Sequence, residues 1–371
     1  MGPARRGRSK PGAELPSCGK ERCLLPGRYR RIFRSGPAWV NNRLVTAEDR
    51  FVEKLSALLP EAERVLVGPG DDAAVFHVEA GEVVATTDLL VEGVDFLPDT
   101  APEAIGRRAL AVNLSDLAAM GARPETFLLT IGFPAEKGEE FPLAVARGAL
   151  SRAECWKASL VGGDLSDAPV VVVSVALWGR AERSPLLRSG GKPGDDLYLS
   201  GFPGRAAAGL ALASRKGPAS LDARHARELL AAYEDPEPRV ALGLELSRRG
   251  LAAAAIDVSD GVGIDAGRLA RASGVRVVIE EKELPLSPAL AEAAAALGTD
   301  PSAWMLAGGD DYELLFSARP ESTDAIAKLS TAEVPVTRIG RLEEGEGAFG
   351  VGAGGLRDVS RSGWDHFGRR R

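Results

Sequence analysis

Residues 111–124 read Ala-Val-Asn-Leu-Ser-Asp-Leu-Ala-Ala-Met-Gly-Ala-Arg-Pro. They complete a helix that is predicted to start at Thr100, because Thr100-Ala101-Pro102-Glu103 has the form of a capping box with proline in the first turn. Apolar residues recur at helical spacing up to Gly121, which ends the helix. Asn113 and Asp116 are three residues apart, so the helix projects both to one side. Asp116 can therefore face aspartates on neighbouring strands.

Aspartates flanked by glycine, serine or threonine recur at the edges of apolar runs. Each alone is explained as a turn, a strand end or a helix cap. Together they indicate a dispersed metal site, because carboxylates gathered at buried strand ends repel one another and need cations. Hard oxygen ligands suit Mg²⁺, which usually accompanies phosphates. The segments are Gly70-Asp71-Asp72, Thr86-Thr87-Asp88, Asn113-Leu114-Ser115-Asp116, Gly162-Gly163-Asp164, Asp257-Val258-Ser259-Asp260-Gly261 and Gly308-Gly309-Asp310-Asp311.

Length and patterning predict two α/β (α+β) domains. The chain has 371 residues, 45% of them hydrophobic and 26% charged, which is typical of a globular protein with two cores. Short strands surround the helix that carries Asp116, and strands alternate with helices after a Ser/Pro/Gly-rich junction at residues 184–193. The predicted organisation is a basic disordered tail at 1–45, an N-terminal metal-binding α/β domain at 46–180 and a C-terminal α/β domain at 181–371.

Charge is divided unevenly along the chain. Residues 1–36 carry ten Lys/Arg and two Glu, so the remainder has 36 basic and 50 acidic residues, a net charge of −14. An acidic body disfavours nucleic-acid binding and favours divalent cations as the bridge to an anionic substrate. An RNA-binding or targeting arm is the alternative interpretation of the tail.

The expected compartment is the cytoplasm. Three cysteines, Cys18, Cys23 and Cys155, give no even disulfide framework, which fits a reducing environment. No apolar run approaches the roughly 18 residues of a membrane span, and the N-terminus has no signal-peptide core. We therefore expect neither a membrane nor a nucleic acid as partner.

Several motifs of common nucleotide-binding folds and of histidine catalysis are missing, which limits the class of reaction. The sequence has no Gly-x₄-Gly-Lys-Ser/Thr loop, no Gly-x-Gly-x-x-Gly after a strand and no His-Arg-Asp loop with a downstream Asp-Phe-Gly, which excludes the common nucleotide-binding folds. The three histidines, His77, His225 and His366, have neither metal-ligand spacing nor a serine-nucleophile motif beside them.

Seven motifs between Gly70 and Leu314 resemble those of the thiamine-monophosphate kinase family and occur in the same order, and the resemblance extends from about residue 47 to Phe367. They are Gly-Asp-Asp-Ala-Ala-Val, Thr-Thr-Asp-Leu-Leu-Val-Glu-Gly-Val-Asp-Phe, the stretch quoted first, Gly-Gly-Asp-Leu, Arg-Ser-Gly-Gly-Lys-Pro-Gly-Asp, Asp-Val-Ser-Asp-Gly and Gly-Gly-Asp-Asp-Tyr-Glu-Leu. The resemblance implies the superfamily of aminoimidazole ribonucleotide synthetase and selenophosphate synthetase. It also implies a homodimer formed through the N-terminal sheets and Mg²⁺-dependent transfer of the ATP γ-phosphoryl group to thiamine monophosphate.

The resemblance also implies roles for individual residues. The implied catalytic residues are Asp88, Asp116 and Asp260. Ligands of several Mg²⁺ ions would be Asp72, Thr86, Thr87, Asp88, Asp116, Asp164, Asp257 and Asp260. ATP contacts would be Gly163, Asp164, Arg188 and Ser259. Contacts to thiamine monophosphate would be Asp95, Asp310 and Trp364.

Two residues depart from the family pattern. Asp95 replaces the usual His and Asp310 replaces the usual Glu, and both lie on the implied acceptor side. One alternative is a sibling ATP-dependent synthetase with a different acceptor, although selenophosphate chemistry would need a reactive Cys ahead of Gly70-Asp71-Asp72. The other alternative is a dimeric nucleotide or thiamine-phosphate binding protein without turnover. Trp364 is equally well explained as a packed anchor of the C-terminus.

Overall fold

The computed structural model describes residues 47–69, 74–78, 81–214 and 221–365, which belong to one compact unit, Val40–Arg371. The helices of these ranges are α1 (Ala47–Leu58), α2 (Pro102–Ala119), α3 (Glu140–Glu154), α4 (Arg205–Ala213), α5 (Ala223–Glu234), α6 (Val240–Arg249), α7 (Val262–Ser273), α8 (Pro288–Leu297), α9 (Pro301–Ala307) and α10 (Thr323–Ala327). The strands are β1 (Val65–Val67), β2 (Val75–Phe76), β3 (Val83–Val91), β4 (Ala122–Phe133), β5 (Ser159–Asp167), β6 (Val172–Ala181), β7 (Asp196–Ser200), β8 (Ala254–Val258), β9 (Arg276–Glu280), β10 (Glu313–Ala318), β11 (Val336–Glu343), β12 (Gly347–Gly352) and β13 (Gly355–Asp358).

A four-stranded mixed sheet organises the N-terminal half, which we define as the described residues up to Ala181. Its order is β3-β6-β4-β5, with β6 antiparallel to β3 and β4, and β4 parallel to β5. Helices α2 and α3 cover one face, where Val173, Val175 and Leu177 are fully buried. On the opposite face Leu89 is 56% exposed. The two faces differ because side chains alternate along each strand.

A seven-stranded sheet organises the C-terminal half, the described residues after Ala181. Its order is β13-β12-β9-β11-β7-β10-β8, and only the β12/β9 pair is parallel. Leu197 and Leu199 pack on one face in a core shared with α4, α7 and α8. Tyr198 and Phe316 point to the other face and join the core of the N-terminal half. One hydrophobic core therefore extends across both halves, and a second lies within the C-terminal half.

Helix α2 lies between the two sheets. It contacts β3, β4 and β6 on one side, and β8, β10 and α6 on the other. Its residues from Ala104 to Ala119 are buried except for Arg107 and Asp116. Because α2 is surrounded by both halves, its few polar side chains can meet groups from each sheet.

The predicted α/β (α+β) architecture with an N-terminal mixed sheet is confirmed by this structure and by the solved structures described below. Local details differ. The helix begins at Pro102 after Ala101, without a side-chain cap, so the expected capping box at Thr100 does not form. Strand β5 runs through Gly162-Gly163-Asp164 and β3 runs through Asp88, so these aspartates lie within strands and not beyond their ends.

Some expectations concern residues outside the described ranges. They are the basic tail at 1–45, Cys18, Cys23 and the proposed metal ligand Asp72. No helix among the described residues is long and apolar enough to cross a membrane.

Candidate active site

Three elements bring aspartates to one place around α2. Asp88 comes from β3, Asp116 from the last turn of α2 and Asp257 from β8. Thr86 donates its hydroxyl hydrogen to the Asp116 carboxylate, and Asp88 and Asp116 also share a hydrogen bond. On the other side, Ser115 Oγ donates to Asp257 Oδ2 at 2.8 Å. We call Asp88, Asp116 and Asp257 the carboxylate cluster.

The carboxylate cluster holds protons more tightly than free aspartates do. Burial, followed by repulsion from Asp116, raises the pKa of Asp88 from 3.8 to about 7. Burial also raises the pKa of Asp116, opposed by the hydrogen bond from Thr86. Asp257 is 4% exposed, and burial with repulsion from Asp116 raises its pKa to about 8. The protein alone therefore supplies too little positive charge to compensate the negative charges of these three carboxylates.

The donor atoms fit a magnesium ion. Every donor in the cluster is an oxygen, and Mg²⁺ usually keeps waters and substrate phosphates as additional ligands, so a few protein oxygens suffice. Within the described ranges, no three His, Cys, Asp or Glu side chains are close enough together to form a protein-only metal site. The arrangement suits a cation that is shared with phosphate groups.

Alternation along β3 separates the two predicted threonine ligands. Thr86 points to α2, whereas Thr87 points to the opposite face and donates to the Val175 carbonyl at 2.9 Å. Asp164 is exposed and in register with the exposed Thr130 of β4, on the same open face as Thr87. Thr87 and Asp164 therefore do not join the carboxylate cluster.

Gly163 has a structural reason to be glycine. A Cβ at this position would lie 1.8 Å from the carbonyl oxygen of Leu129 in β4. The close approach of the two strands thus explains the residue without a ligand. Its predicted ATP contact stays a prediction.

Arg188 is a basic residue whose charge acts on the carboxylate cluster. The neighbouring Leu187 carbonyl accepts a hydrogen bond from Ala255 of β8 at 2.9 Å, which places the segment along the strand of Asp257. The positive charge of Arg188 opposes the rise in pKa of both Asp116 and Asp257. Arg188 is exposed, so an anionic ligand can reach it.

Asp260, three residues after Asp257, forms an ion pair of 2.6 Å with Arg268. The buried Asp265 accepts from the Asp260 and Gly261 amides at 3.0 and 3.2 Å, and also pairs with Arg268. This arrangement fixes the loop between β8 and α7. The Trp364 amide donates to the Asp260 carbonyl at 2.9 Å, so the C-terminal segment lies against the same loop.

The predicted acceptor residues come from two sides. The Asp310 amide donates to the Ser259 carbonyl at 2.7 Å, which places Asp310 beside the loop of Asp260. Trp364 is 40% exposed beside that loop. Asp95 follows β3, where its Oδ2 accepts from the Val91 amide at 2.7 Å, and its charge contributes to the raised pKa of Asp88.

Comparisons with known proteins identify the family. The models of the AIR synthase related protein match residues 70–181 with the N-terminal domain and residues 192–352 with the C-terminal domain. A thiamine-monophosphate kinase of Rhodopirellula baltica is 36% identical over 306 residues, 80% of this chain and 89% of that protein. One from Caulobacter vibrioides is 37% identical over 326 residues, 85% and 89% of the two chains. The chain belongs to the thiamine-monophosphate kinase family.

Solved structures agree with this family. The crystal structure of thiamine-monophosphate kinase from Stenotrophomonas maltophilia K279a has a TM-score of 0.72 at 36% identity, covering 82% of this chain and 96% of that one. AaThiL complexed with AMPPCP and TMP gives 0.69 at 32% identity, covering 86% and 96%. E. coli HypE, a hydrogenase maturation protein, gives 0.67 at 20% identity, covering 84% and 95%, and shows a shared fold.

Three polar residues of this kinase family member were not found from its sequence. Ser115 lies within the quoted stretch, but its partner Asp257 is 142 residues away. Asp265 looks like an ordinary acidic residue in the first turn of a helix. Arg108 interrupts the apolar stripe of α2. Because arginine is rarely buried, its position on this face was the sequence feature that could have indicated a functional role.

We expect the metal-free kinase to lose stability as pH rises. Asp88 and Asp257 have folded-state pKa values of about 7 and 8, above their ordinary 3.8. Their protonation stabilises the folded state fully below pH 4, and this contribution disappears as pH rises through 7 and 8. In EDTA, the melting temperature should fall by at least about 5 °C between pH 6 and pH 9.

Asp257→Asn is the matched variant for this measurement, because the amide keeps the shape but cannot ionise. Differential scanning calorimetry of this variant should show a clearly weaker pH dependence. An identical slope in both proteins would contradict the assignment of the raised pKa to Asp257.

Proposed function

We propose that this protein transfers the γ-phosphoryl group of ATP to thiamine monophosphate and forms thiamine diphosphate. The observation that carries the proposal is the carboxylate cluster, which α2 assembles from both sheets beside Arg188 in a member of this kinase family. AaThiL was crystallised with AMPPCP and TMP, an ATP analogue and the corresponding acceptor. If the acceptor phosphate occupies the position in line with the γ-phosphoryl group of ATP, water cannot attack from that side. Hydrolysis of ATP is then disfavoured.

The main requirement of this reaction is that the negative charges of the two phosphate groups are neutralised. The acceptor is a phosphate that is already anionic at neutral pH, so little help from a general base is needed. Two phosphates in contact repel one another by about 4 kcal/mol for each pair of unit charges at about 4 Å and an effective ε of ~20. Direct in-line transfer therefore depends on residues that neutralise and orient the two phosphate chains.

We propose that Mg²⁺ is bound by Asp72, Thr86, Asp88, Asp116, Asp257 and Asp260. Bound Mg²⁺ supplies the positive charge that lets ATP and the acceptor approach. Within the chain, Thr86 and Ser115 orient the carboxylates of Asp116 and Asp257. Asp88, Asp116 and Asp260 are the proposed catalytic residues. Thr87 and Asp164, on the open face, remain proposed ligands of a further ion.

Substrate contacts are proposed on the two sides of the cluster. Gly163, Asp164, Arg188 and Ser259 are assigned to ATP, and the exposure of Arg188 supports its role beside the phosphates. Asp95, Asp310 and Trp364 are assigned to thiamine monophosphate. A partly exposed indole such as Trp364 can stack on a cationic ring.

The test is a product analysis. Purified protein with ATP, Mg²⁺ and thiamine monophosphate should yield ADP and thiamine diphosphate, identified by mass, and EDTA should stop the reaction. Tight binding without product would favour the binding-protein alternative. ADP formation without thiamine diphosphate would favour a sibling synthetase with another acceptor. Either result would overturn the proposed reaction.

We also propose that two copies of the chain dimerise through the open face of the four-stranded sheet. Leu89 is 56% and Val83 50% exposed on the edge strand β3, and a second copy would cover them. Sedimentation equilibrium should give the mass of two chains, and Leu89→Glu should give one. Leu356→Glu, at a leucine 58% exposed on β13, is the matched control and should stay dimeric. A single-chain mass for the unmodified protein would contradict the dimer.

The proposed compartment is the cytoplasm. ATP and thiamine monophosphate are both charged phosphate esters that do not cross a bilayer unaided. The odd number of cysteines fits a reducing environment. Fractionation of the producing cells, followed by the product assay on each fraction, tests this proposal.

A further inference from the structure

Arg108 is a buried charge in the middle of α2. It is 2% exposed, and its Nη2 lies 2.8 Å from Asp310 Oδ2. Its Nη1 donates to the Tyr233 carbonyl, and the guanidinium lies 5.1 Å from the centre of the Tyr233 ring. Its Nε has no acceptor among the described residues, and its Nη2 meets Asp310 as an ion pair without hydrogen-bond geometry. Asp310 is therefore the carboxylate that neutralises this buried arginine.

Each carboxylate oxygen of Asp310 has a partner, although the side chain is 35% exposed. Its Oδ1 accepts from the Tyr312 hydroxyl at 3.0 Å, while its Oδ2 pairs with Arg108. The backbone has φ of 69° at Asp310 and 51° at Tyr312, in the left-handed region that residues with a Cβ rarely adopt. Such a conformation persists where the surroundings determine it, and strained residues cluster at functional sites.

Helix α2 connects this carboxylate to the carboxylate cluster. Arg108 and Asp116 are eight residues apart on one helix, which corresponds to about 12 Å along its axis. Both positions are fixed because α2 is packed between the two sheets. The distance between the carboxylate cluster and Asp310 is consequently set by one element of the N-terminal half, α2, although Asp310 belongs to the C-terminal half.

We propose that Arg108 is a positioning residue for the acceptor, which holds Asp310 at a fixed distance from the carboxylate cluster. The inference rests on the proposed function and deepens it. Arg108 itself touches no substrate. Arg108 fixes the rotamer of Asp310, whose side chain is one methylene shorter than that of glutamate. A single binding geometry for thiamine monophosphate is thereby preorganised.

Steady-state kinetics of Arg108→Met tests the inference. We expect the KM for thiamine monophosphate to rise at least tenfold while the KM for ATP stays within about twofold. Arg108→Lys keeps the charge but cannot reach both Asp310 and the Tyr233 carbonyl, so its KM for thiamine monophosphate should be intermediate.

Arg152→Met is the matched control. Arg152 of α3 is 8% exposed and pairs with Asp235 and Glu237, so it too is a buried arginine that joins the two halves. Its loss should lower the melting temperature without changing either KM. Equal changes in KM for Arg108→Met and Arg152→Met would show a merely structural role and overturn the proposal, as would an unchanged KM in Arg108→Met.

The double variant Arg108→Met/Asp310→Asn keeps the proposal testable if a single variant fails to fold. An arginine left without its carboxylate is a buried unpaired charge, so Asp310→Asn alone should lower the melting temperature by roughly 5–10 °C. The double variant should recover part of this loss yet keep the raised KM. If the double variant recovers none of the lost melting temperature, the pairing of Arg108 with Asp310 is contradicted.

The role of Arg108 can also be tested if the proposed function fails, that is, if the unmodified protein forms no thiamine diphosphate. The affinity of the same variants for thiamine monophosphate, measured by calorimetry, then decides whether Arg108 positions the acceptor.

Discussion

Replacing Asp116 with asparagine should lower the turnover number roughly a thousandfold or more and leave the metal-free protein as stable as before, or more stable. The reason lies in its neighbours. Asp116 shares a hydrogen bond with Asp88, and its charge raises the pKa of both Asp88 and Asp257. The amide removes this repulsion but still accepts the hydrogen bond from Thr86. Turnover assays and calorimetry in EDTA measure the two effects.

Asp324→Asn is the control for this variant. Asp324 is an exposed aspartate in the first turn of α10, outside the carboxylate cluster. Its replacement should change neither turnover nor melting temperature appreciably. Substantial loss of stability in metal-free Asp116→Asn, together with nearly normal turnover, would show that Asp116 is a structural residue and not a ligand.

Replacing Gly106 with alanine should destabilise the protein by about 3 kcal/mol or more. A Cβ on Gly106 would lie 1.9 Å from the Val145 carbonyl oxygen and 2.9 Å from the Ala149 nitrogen of α3. Both are backbone atoms, so no change of rotamer relieves the clash and the helices must separate. Since α2 carries Asp116, turnover should fall as well. Denaturant unfolding and the product assay measure both quantities.

Gly354→Ala is the control for the loss of a glycine. No heavy atom lies within 4 Å of a Cβ built there, and its φ is outside the left-handed region. This substitution should change the free energy of unfolding by less than about 0.5 kcal/mol. A loss of stability as small in Gly106→Ala would mean that α2 and α3 are not packed as closely as their backbones indicate.

Periodicity predicted the elements that have a regular local pattern. The helix predicted to start at Thr100 and to end at Gly121 is α2, which runs from Pro102 to Ala119. Asp88 and Asp164 were expected at the edges of apolar runs, but β3 and β5 extend through them. Their extra residues are stabilised by pairing with β6 and β4, which a local pattern does not reveal.

The candidate site was predicted as a set of residues but not as a geometry. Asp88, Asp116 and Asp257 were expected in one metal site. In the structure the charge of Asp116 acts on both of the others, and their role as ligands stays a prediction. Thr86 and Thr87 were both expected as metal ligands, yet alternation along β3 sends them to opposite faces.

By itself the sequence determined the kind of chemistry and the family, because the aspartate motifs and their order are local properties of the chain. Tertiary structure decided which carboxylates share a site. Ser115 meets Asp257 across 142 residues, and Arg108 meets Asp310 across two halves of the chain. These contacts arise because burying α2 between two sheets stabilises the fold through its apolar residues, and its polar side chains must then find partners in whichever sheet they face.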